Sequence, residues 1–151
     1  MPPWLLGFQY AGDTPGARLR KARLAKNMTI ADLVSVTGLG KPTIYKLEAD
    51  KATAQPPCMR ILAGTLGVSI AYLGKYENLP ENTLGQKIKK ARLYHGYTKA
   101  EFSRQMGVDV KTLRCWESGE RRPLDRHYHQ LEKYLSVLNP PISQQINLPH
   151  G

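Results

Sequence analysis

Apolar positions recur at helical spacing in two separate blocks of the chain. Leu19, Ala22 and Leu24 interrupt a basic run in the first block, and Ile88, Ala91 and Leu93 do so in the second. Each set is assigned to the inner side of an amphipathic helix. Start and stop signals agree with this. Thr14 precedes Pro15, an N-cap followed by proline at the first helical position, where its missing N–H costs nothing. Thr83 with Gln86 matches as a capping box. Thr29-Ile30-Ala31-Asp32 and Thr98-Lys99-Ala100-Glu101 open second helices, the latter with a full capping box. Gly38 and Gly107 end those helices. Gly40 and Asp109 are N-caps for third helices, with Pro42 in a first turn, where it is tolerated. Leu47 and Trp116 fall at core positions of the third helices. The pattern is all-α: a helix, a glycine turn and a second helix of similar length, twice over.

The two blocks are one pattern repeated. At a shift of 69 residues, Gly16 to Leu24 lies over Gly85 to Leu93. Without a gap, Thr29 then lies over Thr98, Ala31 over Ala100, Gly38 over Gly107, Thr43 over Thr112 and Glu48 over Glu117. Ten identities fall in the stretch from 16–53 over 85–122, and Leu62 and Leu66 still match Leu131 and Leu135. Two units of one fold explain this, and the period is too long for a short solenoid repeat. The expected division is an N-terminal extension 1–13, a first domain 14–74, a linker 75–82, a second domain 83–138 and a polar tail 139–151.

Charge narrows the partner. The chain has 151 residues and a formal net charge of +10, with 41% hydrophobic and 23% charged residues. That excess suggests a polyanion, nucleic acid before membrane. Both halves share it. Residues 1–75 carry ten Lys/Arg against four Asp/Glu, and 76–151 carry twelve against eight. No apolar run spans a membrane, and the N-terminus lacks the basic region of a secretory signal. Cys58 and Cys115 make no disulfide framework, so reduced thiols and a cytoplasmic, nucleoid-associated setting are expected.

Both units resemble the lambda-repressor and Cro-type helix-turn-helix family. The residues that carry the resemblance are Leu113-Arg114-Cys115-Trp116-Glu117-Ser118-Gly119-Glu120-Arg121-Arg122-Pro123 in the second unit and Thr43-Ile44-Tyr45-Lys46-Leu47-Glu48 in the first. Residues Ile61 to Leu73 look like the family's fourth and fifth helices. The resemblance implies all-α domains of about five short helices, with the third helix entering the major groove of double-stranded DNA. By position it places Lys41, Pro42 and Lys46, and in the second unit Val110, Lys111 and Cys115, toward the groove, with Tyr45 and Arg114 beside them. Lysine there can donate to guanine, and proline or valine can touch a thymine methyl. Thr43 and Thr112 would donate to phosphate, and Lys51, Lys99, Arg121 and Arg122 would neutralise the backbone. The resemblance also implies internal ion pairs Arg23–Glu48 and Arg92–Glu117 rather than arginines on DNA.

There are departures from the family. Its frequent glutamine at the start of helix two is here Ile30 or Lys99, and the loop Ala49-Asp50-Lys51-Ala52 is less basic than Gly119-Glu120-Arg121-Arg122. The second unit lacks the Leu-Gly-Val-Ser signature of a fifth helix. It nevertheless reads as the better DNA binder of the two.

Other residues carry blander expectations. The runs Arg18, Arg20, Lys21 and Lys87, Lys89, Lys90, Arg92 are expected to be solvated helix faces. His95, His127, His129 and Cys115 match no zinc spacing, so solvated or phosphate-adjacent histidines and no metal are expected. Trp4, Leu5, Leu6, Phe8 and Tyr10 are expected to pack on the first unit, an arm to a second chain being the alternative. No catalytic grouping or cofactor motif stands out. From Gly74 to Asn82, including Pro80, nine extended residues reach about 30 Å. Recognition helices on one duplex lie about 34 Å apart. One chain is therefore expected to read successive major grooves. The alternative is that one unit serves dimerisation or another protein while the second binds DNA.

Overall fold

A computed structural model of the chain describes residues 12–139. The Trp4–Tyr10 expectation and the tail beyond Asn139 lie outside the described residues. The chain divides into two compact units, Met1–Asn78 and Leu79–Gly151. Among the described residues every regular element is helical.

Unit one contains α1 (Pro15–Ala25), α2 (Ile30–Thr37), α3 (Lys41–Glu48), α4 (Pro56–Leu66) and α5 (Ile70–Gly74), then a 3-10 turn at Tyr76–Asn78. Unit two contains α6 (Leu84–Tyr94), α7 (Lys99–Met106), α8 (Val110–Ser118) and α9 (Asp125–Leu135), then a 3-10 turn at Ser136–Leu138. Among the described residues unit two has four α-helices; the stretch at the register of α5, 139–143, lies almost wholly outside them.

The caps form as the local sequence dictates. Thr14, Thr29, Thr83, Thr98 and Asp109 each accept a backbone N–H in the first turn. Thr29 with Asp32 is a complete capping box, as are Thr83–Gln86 and Thr98–Glu101. Each such cap is worth about 1 kcal/mol. Gly38 and Gly107 end α2 and α7 in the left-handed region, at φ 74° and 70°. That is the backbone glycine adopts without steric penalty.

The cores repeat position by position. Leu19, Leu33, Ile44, Leu47 and Leu62 are buried in unit one, and Ile88, Phe102, Leu113, Trp116 and Leu131 occupy the same register in unit two. In both units the first helix packs on the third and the second on the third. In unit one α1 also packs on α5, whereas in unit two α6 packs on α9 and the closing turn.

Two expectations about sidedness are corrected. Leu24 is 44% exposed rather than inward. It stands five residues after Leu19, about 140° round a helix of 3.6 residues per turn, and the inner place beside Ala22 goes to Arg23. The basic runs are not solvated throughout either, because Arg18, Lys90 and Arg92 are buried. Arg18 pairs with Asp13 at 2.7 Å, donates to the Tyr72 carbonyl at 2.8 Å and stacks over the Tyr72 ring. Lys90 meets Glu81 at 3.0 Å.

The 75–82 stretch is tied at both ends to its own neighbours. Glu77 pairs with Arg18 of unit one. Glu81 pairs with Lys90, and the Asn82 N–H donates to Gln86 Oε1 at 2.9 Å in unit two.

Candidate nucleic-acid interface

The third helix of each unit is fixed from behind. In unit one, Arg23 Nε and Nη2 meet the two carboxylate oxygens of Glu48 at 2.9 Å each, and Arg23 Nη1 donates to the Met28 carbonyl. Both side chains are only 9% exposed. The bond to Glu48 raises the proton affinity of Arg23 above its ordinary value despite burial. In unit two, Arg92 Nε meets Glu117 Oε1 at 2.7 Å, and Nη1 donates to the Tyr97 carbonyl. The internal ion pairs expected from the resemblance are thus present, and these arginines are turned away from solvent.

A second device fixes the same helix, and sequence reasoning gave it no role. Gly16 and Gly85 lie at the start of the first helices, against the carbonyl ends of the third. A Cβ on Gly16 would stand 2.5 Å from the carbonyl oxygens of Leu47 and Glu48. One on Gly85 would press on Trp116 O and Glu117 O. Only a residue without a side chain lets the two backbones approach so closely. Their identity in the repeat was the available signal.

Asp50 was also missed. It follows α3 with φ 57°, at the register of Gly119. Its carboxylate accepts from the Thr14 hydroxyl at 2.6 Å and from the Gly16 N–H at 2.8 Å. The loop is less basic in unit one because this acid clasps the N-terminus of α1.

Held this way, α3 turns Lys41, Pro42, Thr43, Tyr45 and Lys46 to solvent, with Tyr45 53% exposed. Lys51 in the following loop is exposed as well. On α8, Lys111 and Arg114 are exposed while Val110 and Thr112 are half-buried. Arg121, Arg122 and, at the start of α7, Lys99 are exposed. Asp109 caps α8 through the Thr112 N–H at 2.6 Å, a bond that holds its carboxyl below the ordinary range.

Cys115 is the exception and is corrected. Expected in the groove at the register of exposed Lys46, it is only 7% exposed. The turn after α8 folds over it: the Arg121 N–H donates to the Cys115 carbonyl at 3.2 Å, and the thiol lies 3.7 Å from Glu120 Oε2. A short side chain cannot emerge past that turn, as a lysine can. Ile30, the other departure, is partly buried against the core of unit one.

Two of the histidines, His95 and His127, are corrected too, whereas His129 is exposed as expected. His95 is half-buried among aromatic rings, 5.4 Å from Tyr134 and 5.9 Å from Tyr97, with Nε2 3.1 Å from the Tyr134 carbonyl. His127 packs on Trp116 at 5.1 Å. Among the described residues no three His, Cys, Asp or Glu gather as a metal site. No helix among them is long and apolar enough to cross a membrane.

Two units that each hold an outward third helix against a buried ion pair define a tandem helix-turn-helix protein. The helix-turn-helix family model matches residues 19–73 and again 88–137. The chain belongs to that lambda-repressor and Cro-type helix-turn-helix family, in two tandem copies. The family is a non-catalytic DNA-binding module. Its presence twice supports a DNA-binding role in transcription regulation. Comparison with curated proteins gives no match, and comparison with solved structures gives none either.

Proposed function

We propose that the chain is a transcriptional regulator that binds double-stranded DNA sequence-specifically, its α3 and α8 lying in successive major grooves of one site. The observation that carries this reading is the shared exposure of a basic face on both third helices, Lys41 and Lys46 on α3 and Lys111 and Arg114 on α8. A regulator using one unit only would have no need to keep both faces basic and open.

Lys41, Lys46, Lys111 and Arg114 donate to base edges. Thr43, Thr112, Lys51, Lys99, Arg121 and Arg122 hold phosphates. Pro42 and Val110 offer apolar contact, and Tyr45 and Arg114 stand at the same register with different chemistry. The two half-sites therefore differ in sequence. With Cys115 enclosed, unit one presents the fuller reading face, and the two units share the work more evenly than the loop charges imply. Because Glu77 and Glu81 are each held by their own unit, spanning the grooves rests on domain size more than on an extended linker. The protein works in the cytoplasm, on the nucleoid.

Separate charge reversals test the reading. Lys41→Glu and Lys111→Glu should each weaken binding to a selected duplex. If Lys111→Glu abolishes binding while Lys41→Glu leaves it untouched, unit one is an interaction module instead, serving a second copy or another protein.

A further inference from the structure

Unit one contains an apolar cavity of about 240 Å³. Leu19, Leu47, Ala54, Met59, Leu62 and Leu73 form most of its wall, and Pro15, Asp50 and Tyr76 also line it. The repeat shows what such a space holds elsewhere in the same chain. At the same register the lining residues Leu47 and Ala54 become Trp116 and Pro123. In unit two the Trp116 indole is 3% exposed with His127 packed on it at 5.1 Å, and Pro123 is buried. Two side chains that line the space in unit one, Leu47 and Ala54, are thus replaced by rings in unit two. A cavity left open forfeits the dispersion contacts of its wall.

A counterpart of the Trp116 indole is available close by. The described chain starts at Gly12, and Pro15, three residues on, is itself part of the cavity wall. Thr14 is pinned there by its 2.6 Å bond to Asp50. The residues upstream read Trp4-Leu5-Leu6-Gly7-Phe8-Gln9-Tyr10, the most apolar aromatic stretch of the sequence. From Pro15 back to Trp4 an extended chain spans up to about 36 Å, so the tether does not limit access. A short tether also keeps the segment at an effective concentration of about millimolar.

We propose that the Trp4–Tyr10 segment docks in this cavity with the Trp4 indole as its anchor. It supplies an indole as Trp116 does from within α8. Docking there braces the turn after α3, because Ala52 and Thr53 line the same space. The phosphate-facing Lys51 sits in that turn, so the segment sets the order of a DNA-contacting loop.

The difference in emission between the wild-type chain and Trp4→Phe isolates the Trp4 indole and leaves unit two untouched. Docking predicts a blue-shifted component protected from acrylamide. Ala54→Phe, which fills the cavity from its wall, should shift that component to the emission of a solvated indole while helical circular dichroism is kept. Leu47→Trp, measured against Leu47→Trp combined with Trp4→Phe, builds the arrangement of unit two into unit one and should produce the same shift even if Ala54→Phe does not fold. Solvated Trp4 emission in the wild-type chain overturns the proposal, as does a buried component indifferent to both fillings. Burial lost on dilution would place the segment on a second copy and overturn docking within one chain.

Discussion

Arg23 grips Glu48 with two contacts of 2.9 Å, whereas 69 residues later Arg92 reaches Glu117 with one of 2.7 Å and leaves Glu117 Oε2 buried without a hydrogen-bond partner. The pair keeps its place in both units but not its geometry. Removing one partner of a buried pair costs about 3–5 kcal/mol, because the other charge is stranded. Glu48→Ala should therefore destabilise unit one by that order in urea melts, and Glu48→Gln should cost more than Glu117→Gln, because the amide keeps one acceptor oxygen and so loses one of two contacts at position 48 but none at position 117. DNA affinity should fall only as far as the unfolded fraction rises. Equal costs in the two units would contradict the difference in pairing.

Gly16→Ala and Gly85→Ala should each destabilise their own unit. Alanine favours a helix over glycine by about 0.5–1 kcal/mol, which alone predicts stabilisation. The added methyl meets the carbonyls that end α3 or α8, and overpacking of this kind costs about 1–3 kcal/mol. The net shift in melting temperature should be downward. An upward shift would show that the helices separate without penalty.

Much of the fold was legible because its signals are local. Thr29, Thr98, Gly38 and Asp109 announce helix ends within a few residues of themselves, and the repeat fixed the register of one core on the other. Trp116 and Leu47 are both buried, as their helix positions require. What escaped depends on residues distant in sequence. Leu24 reads as core until Arg23 is drawn inward by Glu48, 25 residues away. Lys90 reads as solvated until Glu81 comes over it. Cys115 reads as a groove residue because its register is that of Lys46, but the 119–121 turn encloses it. The close approach at Gly16 depends on how α1 crosses α3, which no periodicity encodes.

Acid should weaken the fold in a narrow range. Backbone N–H bonds from Thr29 and Thr112 hold the Asp32 and Asp109 carboxyls below their ordinary range. The folded value is then lower than the unfolded one of about 3.9. Their contribution is fully present above that unfolded value and is lost as pH falls toward the folded one. Melting temperature should stay level from neutral pH to about pH 5 and drop below about pH 4. Asp109→Asn keeps a capping side chain but cannot titrate, so it should flatten the acid limb. An unchanged limb would assign the acid sensitivity to other groups.

Residue roles should separate by salt and by sequence. Each phosphate contact contributes about −0.9 to the slope of log K against log salt. Arg122→Ala should reduce the slope by about that amount and weaken binding alike on all duplexes. Arg114→Ala should change which bases are preferred. Cys115→Ala should alter stability and leave base preference as it was. A change of base preference in Cys115→Ala would return that residue to the groove.

The central claim is that one chain engages DNA with both third helices. Footprinting the chain on duplexes selected from a random pool, at measured stoichiometry, tests it most directly. Two protected segments of unlike sequence should appear per chain, their centres about 10–10.5 base pairs apart. Protection of a single half-site per chain would contradict the account.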